Sequence, residues 1–282
     1  MSEKQTKARP PRHMNANKRP PRNQPSNQVL LEKLVHKYFE DATRVKDATI
    51  NNELEVKFGT KGVKPFTKMD YDNVIRKLKS FGFNSTYEEG MYLMRITYEY
   101  LDKSGQYKDS PIRVEITGFR AIQEYCKTND ISKILHSDQY QGAVKFVKKT
   151  RVFENNEPVS DVNFSDFNFR VSYRKEEELS PSNIIVRSTL QNWMQTKKAF
   201  RYINRVSFSH PDLPIDVDIS IVKSSQREKY SLKKTYTTDE AGVFTNTDTY
   251  EMEIEVNNRQ IGPATDFNNA GLLLASMRKA IK

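Results

Sequence analysis

The stretch "NNELEVKFGT", Asn51–Thr60, decides how this chain is read. It alternates Glu53, Glu55 and Lys57 with Leu54, Val56 and Phe58, the period of two that sends successive side chains to opposite faces of a β-strand. Carboxylates at i and i+2 of a strand stand roughly 7 Å apart on one face. That is close enough to repel unless a cation lies between them. Alone, the segment reads as an amphipathic edge strand with one wet face.

Far downstream, "TYEMEIEV", Thr249–Val256, repeats the pattern, with Glu251, Glu253 and Glu255 opposite Tyr250, Met252, Ile254 and Val256. Between the two lie further alternating segments. "FRVSYRKE" aligns Arg170, Ser172, Arg174 and Glu176 against Val171 and Tyr173, and "PIDVDISIV" aligns Asp216, Asp218 and Ser220 against Ile215, Val217, Ile219 and Ile221. Less regular are "YLMRITYEY" with Arg95, "PIRVEITG" with Arg113 and Glu115, "VKFVKKTRVF" with Lys149 and Arg151, and "KAFRYINRVSF" with Arg201 and Arg205. The charge signs are sorted by strand. A triple-Glu strand in plain solvent repels itself, whereas charged faces turned inward on a shared ligand compensate one another. The expected fold is therefore α+β: a closed antiparallel β-barrel of about eight strands, forming a polar tunnel whose apolar outside is flanked by helices.

The helices are marked by 3.6-residue periodicity. "NQVLLEKLVHKYFEDA" carries Leu30, Leu31, Leu34, Val35, Tyr38 and Phe39 behind an Asn27 cap, and "TKMDYDNVIRKLKSFGF" carries Tyr71, Val74, Ile75 and Leu78 before Gly82. A third helix is expected in "FRAIQEYCKTN" and an apolar one in "NNAGLLLASMRKAIK". Residues 1–28, rich in Pro, Asn, Lys and Arg and poor in large apolar side chains, read as a disordered basic arm. The barrel domain is expected over 29–265 and a C-terminal helix over 266–282, with two alternatives open: the helix leads on to a further domain, or the chain acts beside separate subunits.

The 282 residues, 36% hydrophobic, suffice for a large core, and a net charge of +10 favours a polyanionic partner. Cys126 is the only cysteine, which excludes an intrachain disulfide and a thiolate zinc cluster. His13, His36, His136 and His210 are scattered, with no H-E-x-x-H spacing, and there is no G-x-x-x-x-G-K-S/T phosphate loop. "CKTND", Cys126–Asp130, lacks the glycine of a guanylyltransferase lysine motif and reads as a helix end. No apolar run is long enough to span a bilayer and no apolar leader stands at the N-terminus, so a cytoplasmic protein without a membrane partner is expected.

Paired strands of the form E-x-E-x-K and E-x-E-x-E, with "PIRVEITG", "IQEYCKTN" and "FRVSYRKEEEL" between them, resemble the triphosphate tunnel metalloenzymes, in particular the metal-dependent mRNA 5′-triphosphatase domain of large DNA virus capping enzymes. The resemblance implies removal of the γ-phosphate from the 5′-triphosphate end of RNA. It implies Mg2+ or Mn2+ on Glu53, Glu55, Glu253 and Glu255, a cation that also relieves the mutual repulsion of these groups, and a hard, oxygen-only donor set suits either metal. Glu251 then stands at the tunnel mouth. Lys57, Arg170, Arg174 and Arg205 become catalytic cations, and Arg95, Arg113, Lys149 and Arg151 bind phosphate. Glu176, or Glu177 if the strand carries a bulge, orients or deprotonates the water, while Asp216 and Asp218 support the cations. The implied partners are 5′-triphosphate RNA and a guanylyltransferase and methyltransferase in cis or trans, in host cytoplasm or virion. Two other readings remain open: a tunnel phosphohydrolase acting on free nucleoside triphosphate or polyphosphate, and a non-catalytic RNA-binding barrel.

Overall fold

The computed structural model describes residues 25–44, 50–59, 65–85, 91–102, 104–165, 168–228 and 231–281. Most of the expected basic arm thus lies outside the described residues. Eight strands build the barrel: β1 (Ile50–Phe58), β2 (Met91–Leu101), β3 (Ile112–Thr117), β4 (Val144–Arg151), β5 (Phe169–Leu179), β6 (Lys198–His210), β7 (Leu213–Ser224) and β8 (Thr249–Val256). They pair in the order β2-β3-β4-β5-β1-β8-β7-β6, and β6 returns to β2, with every pairing antiparallel. Closure removes the free edges that an open sheet would leave.

Six helices, α1 (Asn27–Arg44), α2 (Lys68–Ser80), α3 (Phe119–Thr128), α4 (Ile131–Leu135), α5 (Ile184–Gln191) and α6 (Ala270–Ile281), complete an α+β fold among the described residues. The core lies outside the barrel wall. Leu54 and Val56 of β1, Val171 and Tyr173 of β5, and Ile215, Val217 and Ile219 of β7 bury against Leu34, Val35 and Tyr38 of α1 and Leu273 and Met277 of α6. A second cluster joins Val114, Ile116, Phe146 and Phe200 to Ile122 and Tyr125 of α3 and to Trp193. Both clusters take the apolar member of each alternating pair, so the charged member has only the tunnel to face.

Local signals explain the helix ends. Thr67 and Asp70 form a reciprocal capping box at the start of α2, and α3 ends on Asn129 in the left-handed conformation at φ 52°, as "CKTND" suggested. The start of α1 differs from expectation. Asn27 is already helical, and the hydroxyl of Ser26 accepts from the Val29 amide at 3.4 Å instead. The arm boundary expected after residue 28 therefore falls within the first turn of α1. At the other end α6 shares the core of α1, and Arg278 pairs with Glu32 at 2.9 Å. No helix among the described residues is long and apolar enough to cross a membrane.

Candidate active site

Because β1 lies between β5 and β8, its three inward side chains meet different partners. Glu53 stands opposite Arg174, and Glu55 opposite Ser172 on one side and Glu255 on the other. Lys57 stands opposite Arg170 and Glu253. One strand further, Asp216 is opposite Glu255 and Asp218 opposite Glu253. The carboxylates of three strands thus form one continuous patch on the tunnel wall.

The patch divides electrostatically. Burial pushes Glu253 up, but the ammonium of Lys57, in contact with it, and Arg205 at 3.4 Å outweigh burial and hold it down at about 2. Glu251 is likewise buried yet held low by Arg201 at 2.7 Å and Lys57 at 3.4 Å. Glu255 has no such partner; burial, with Glu53 and Asp218 nearby, raises it to about 8. Glu53 rises to about 7 through burial and the charge of Glu55, although Lys149 contacts it. Burial and Asp218 also raise Asp216, whose carboxylate accepts from Asn257 at 3.2 Å. Glu55 accepts from the Ser172 hydroxyl at 2.9 Å. The surplus negative charge therefore sits on Glu53 and Glu255, which flank Glu55 in the patch, while Glu253 is neutralised. As their side chains stand, no three acidic, His or Cys groups among the described residues converge closely enough to grip a metal ion.

The cations are equally organised. Lys149 lies 3.4 Å from Glu176 and 3.9 Å from Glu55, and these carboxylates with Glu53 keep it charged despite burial. Arg113 bridges Glu115 at 2.7 Å and Glu176 at 2.9 Å, and Arg95 reaches Glu115 at 2.9 Å. Arg205 holds Asp218 at 2.6 Å. Arg174 pairs with Asp161 at 2.6 Å, whereas Arg170 is 3.8 Å from Asp161 and its buried Nε makes no hydrogen bond. Arg151 is exposed at the end of β4. The β5 register runs without a bulge through Glu176 opposite Lys149, so Glu177 faces outward to Lys148 at 3.8 Å and Glu176 is the tunnel residue.

Three residues of the site went unassigned in the sequence. Parity marks Glu115 and Arg201 on their strands but gives them no role, since parity does not say which charges they pair with. Asp161 has no periodic signal, because it precedes the short strand Val162–Phe164 that docks on β5.

The two mouths differ. At the start of β1 a cavity of about 1040 Å³ opens between Asn51, Asn257 and Arg259, lined by five carboxylates (Glu115, Glu176, Glu178, Asp216, Glu255) against Lys145 and Arg259. At the other end of β1, Lys57 and Arg170 are register partners, with Glu251 3.4 Å from Lys57 and Asp161 3.8 Å from Arg170.

No family model and no curated protein matches the sequence. Among solved structures the chain is similar to the capping-enzyme triphosphatase of Mimivirus, at 16% identity, covering 90% of this chain and 95% of that one, with a TM-score of 0.49. It is also similar to the RNA triphosphatase Pct1 of S. pombe, at 15% identity, covering 90% and 89%, with a TM-score of 0.44. The same enzyme in complex with the Spt5 CTD matches at 14% identity, covering 90% and 92%, with a TM-score of 0.41.

Proposed function

We propose that the chain hydrolyses the γ-phosphate from the 5′-triphosphate end of RNA, using Mg2+ or Mn2+, and leaves the 5′-diphosphate end that a guanylyltransferase, followed by a methyltransferase, would take up. The observation that carries this reading is the pairing of opposite surpluses in one closed tunnel. Glu53 and Glu255, on either side of Glu55, have more negative charge than their neighbours neutralise, while Arg151 is exposed and the buried Nε of Arg170 makes no hydrogen bond. A surface built only to hold phosphate would gain nothing from buried carboxylates.

The donor set fits the cation. It consists of carboxylate oxygens without His or Cys, the chemistry of a hard divalent ion, and the groups raised to about 7 and 8 are those that a nearby dication would keep ionised. Glu53, Glu55 and Glu255 would hold it. When bound, it supplies charge neutralisation at the phosphate oxygens. Among the chain's own residues, Glu176 fixes the heads of Arg113 and Lys149, which places two donors side by side for the oxygens of a phosphoryl group. Arg205 and Lys57, anchored by Glu253, line the adjoining wall. The enclosure strengthens each of these interactions relative to open water.

Release of labelled phosphate from γ-labelled triphosphate RNA, with and without Mg2+ or Mn2+ and in competition with ATP, tests the reading. Cation-dependent release that RNA dominates is expected. Tight RNA binding with no release under either metal would replace it with a non-catalytic barrel, and preference for ATP with a nucleotide phosphohydrolase.

A further inference from the structure

The tunnel face of β5 carries Arg170 and Arg174, and the residue that decides where they point lies on none of the eight barrel strands. We infer that Asp161 is a positioning residue: it holds both arginines on the tunnel wall as donors for phosphate oxygens and, by drawing Arg174 away from Glu53, keeps that carboxylate open to a divalent cation. The inference deepens the proposed function, on which it rests in taking Glu53 as a cation ligand and the tunnel as the phosphate site.

The course of the chain puts Asp161 there. β4 pairs with the second half of β5, from Arg174 opposite Arg151 to Leu179 opposite Phe146, and then leaves it. After a turn tied by the Val159 amide to the Val152 oxygen at 2.8 Å, the chain returns to β5, where Val162 stands opposite Val171 and Phe164 opposite Phe169. β1 occupies the other edge of β5 along this stretch, so the return is to the edge that β4 left. Val152 and Val162 are both buried in the outer core, which fixes the excursion at each end. Side chains alternate faces along a strand. With Val162 and Val171 turned to the core, Asp161 falls on the tunnel side, in the gap that β4 leaves beside Ser172.

The charges around it show what Asp161 does. Arg174 has Glu53 opposite on β1 and Arg151 opposite on β4. Cross-strand partners have Cβ atoms about 5 Å apart, well within reach of an arginine, and opposite charges so placed attract. Register alone would therefore pair Arg174 with Glu53. Instead Arg174 pairs with Asp161 at 2.6 Å, and its Nη1 donates to the backbone oxygen of Tyr173 at 2.8 Å. The other carboxylate oxygen of Asp161 lies 3.8 Å from Nε of Arg170, so one acid holds two arginines of the same strand face. Glu53 is left with Lys149 as its ion-pair partner among the described residues. Without the charge at position 161, the acid that register offers Arg174 is Glu53. The guanidinium then neutralises a carboxylate that the cation needs and leaves the phosphate site as it does so.

Asp161→Asn, Arg174→Gln and the double variant form a cycle that tests this. Asn is isosteric with Asp, and the Asp161 side chain is 23% exposed, so the fold tolerates the change. Two affinities are read in the full chain without turnover: Mn2+ by electron paramagnetic resonance titration, and inorganic tripolyphosphate by calorimetry in EDTA. Asp161→Asn should weaken Mn2+ binding roughly tenfold, the scale of residues that keep a metal ligand in place. It should weaken tripolyphosphate roughly three- to tenfold, the scale of one charge-assisted contact. Arg174→Gln should match the tripolyphosphate loss yet leave Mn2+ within about twofold of wild type, and adding Asp161→Asn to it should change neither affinity further. A merely structural residue would not produce that split. Wild-type affinities in Asp161→Asn would overturn the inference, as would an equal loss of Mn2+ affinity with and without Arg174, since Asp161 would then act directly and not through the arginine. Wild-type protein that binds neither probe would remove the proposed function and the inference together. The expected pattern in a chain that releases no phosphate from triphosphate RNA would leave the inference standing and remove the catalytic reading alone.

Discussion

Glu55 of β1 stands directly opposite Glu255 of β8 in an antiparallel ladder, two inward carboxylates facing each other across one strand pairing. Like charges in that position are destabilising, and Glu255, buried with Glu53 and Asp218 nearby, makes no ion pair among the described residues. In cation-free protein the Glu255→Gln variant should therefore be more stable than wild type, by about 1 kcal/mol or 2–4 °C in Tm. Adding Mn2+ should raise the Tm of wild type and leave the variant nearly unmoved, while phosphate release by the variant falls at least about a hundredfold, the scale of a lost charge-stabilising group. Thermal unfolding with EDTA and with Mn2+ measures all but the last. A variant less stable than wild type in EDTA would mean that Glu255 is a structural partner and not a surplus charge.

The side chains of Glu253 and Glu255 show where legibility in the sequence stops. They lie two residues apart on one face of one strand, and alternation alone placed both in the tunnel. Yet one is held at about 2 and the other raised to about 8, because the pairing register brings Lys57 opposite Glu253, whereas Glu255 is buried with Glu53 and Asp218 nearby. Parity is a local property and survives in the sequence; register is set by packing across strands and does not. The same limit hid Asp161, which enters from a connection. Barrel closure was legible for the opposite reason, since sorted charge on so many strands has few other stable arrangements.

Arg205 joins β6 to two carboxylates on neighbouring strands, Asp218 at 2.6 Å through Nη1 and Glu253 at 3.4 Å through Nη2. A guanidinium spans both because its donors form a planar fork, which an ammonium cannot reproduce. Arg205→Lys should therefore lower kcat for triphosphate RNA by tenfold or more at a stability loss of about 1 kcal/mol. Lys57→Arg, which exchanges one point contact for a fork, should lower kcat less. Steady-state kinetics and urea unfolding on the two variants make the comparison; equal losses of kcat would show that neither head group touches phosphate.

Deleting residues 1–24 should raise KM for long triphosphate RNA at low salt, an effect that fades as salt rises, because the seven lysines and arginines of this segment contribute counterion release. The kcat on RNA and the hydrolysis of ATP, a ligand too short to touch both, should not change. A fall in kcat on ATP would show that residues before Pro25 belong to the folded site.

Lys198 offers a test outside the tunnel. It is fully buried on the outer face of β6, where its ammonium donates to the backbone oxygens of Trp193, at 2.7 Å, and Thr196 and lies 5.0 Å from the Trp193 ring centre. Burial lowers it from 10.5 to about 8, with Glu240 the one nearby charge opposing the shift. A lysine lowered in the folded state binds fewer protons there than in the unfolded chain between those two values. Folding thus gains stability as pH rises through that window, by up to about 1.4 kcal/mol per unit, and gains nothing below it, where both states are protonated. Lys198→Met keeps the bulk and removes the titration. The stability difference between wild type and variant should be flat from pH 6 to about 7, then shift in favour of wild type from about pH 8 to 10. Urea unfolding of the pair at these pH values reads the difference directly and cancels groups common to both. A difference that stays constant across the range would mean that the two carbonyls and the indole ring compensate the buried charge in full, leaving Lys198 protonated throughout.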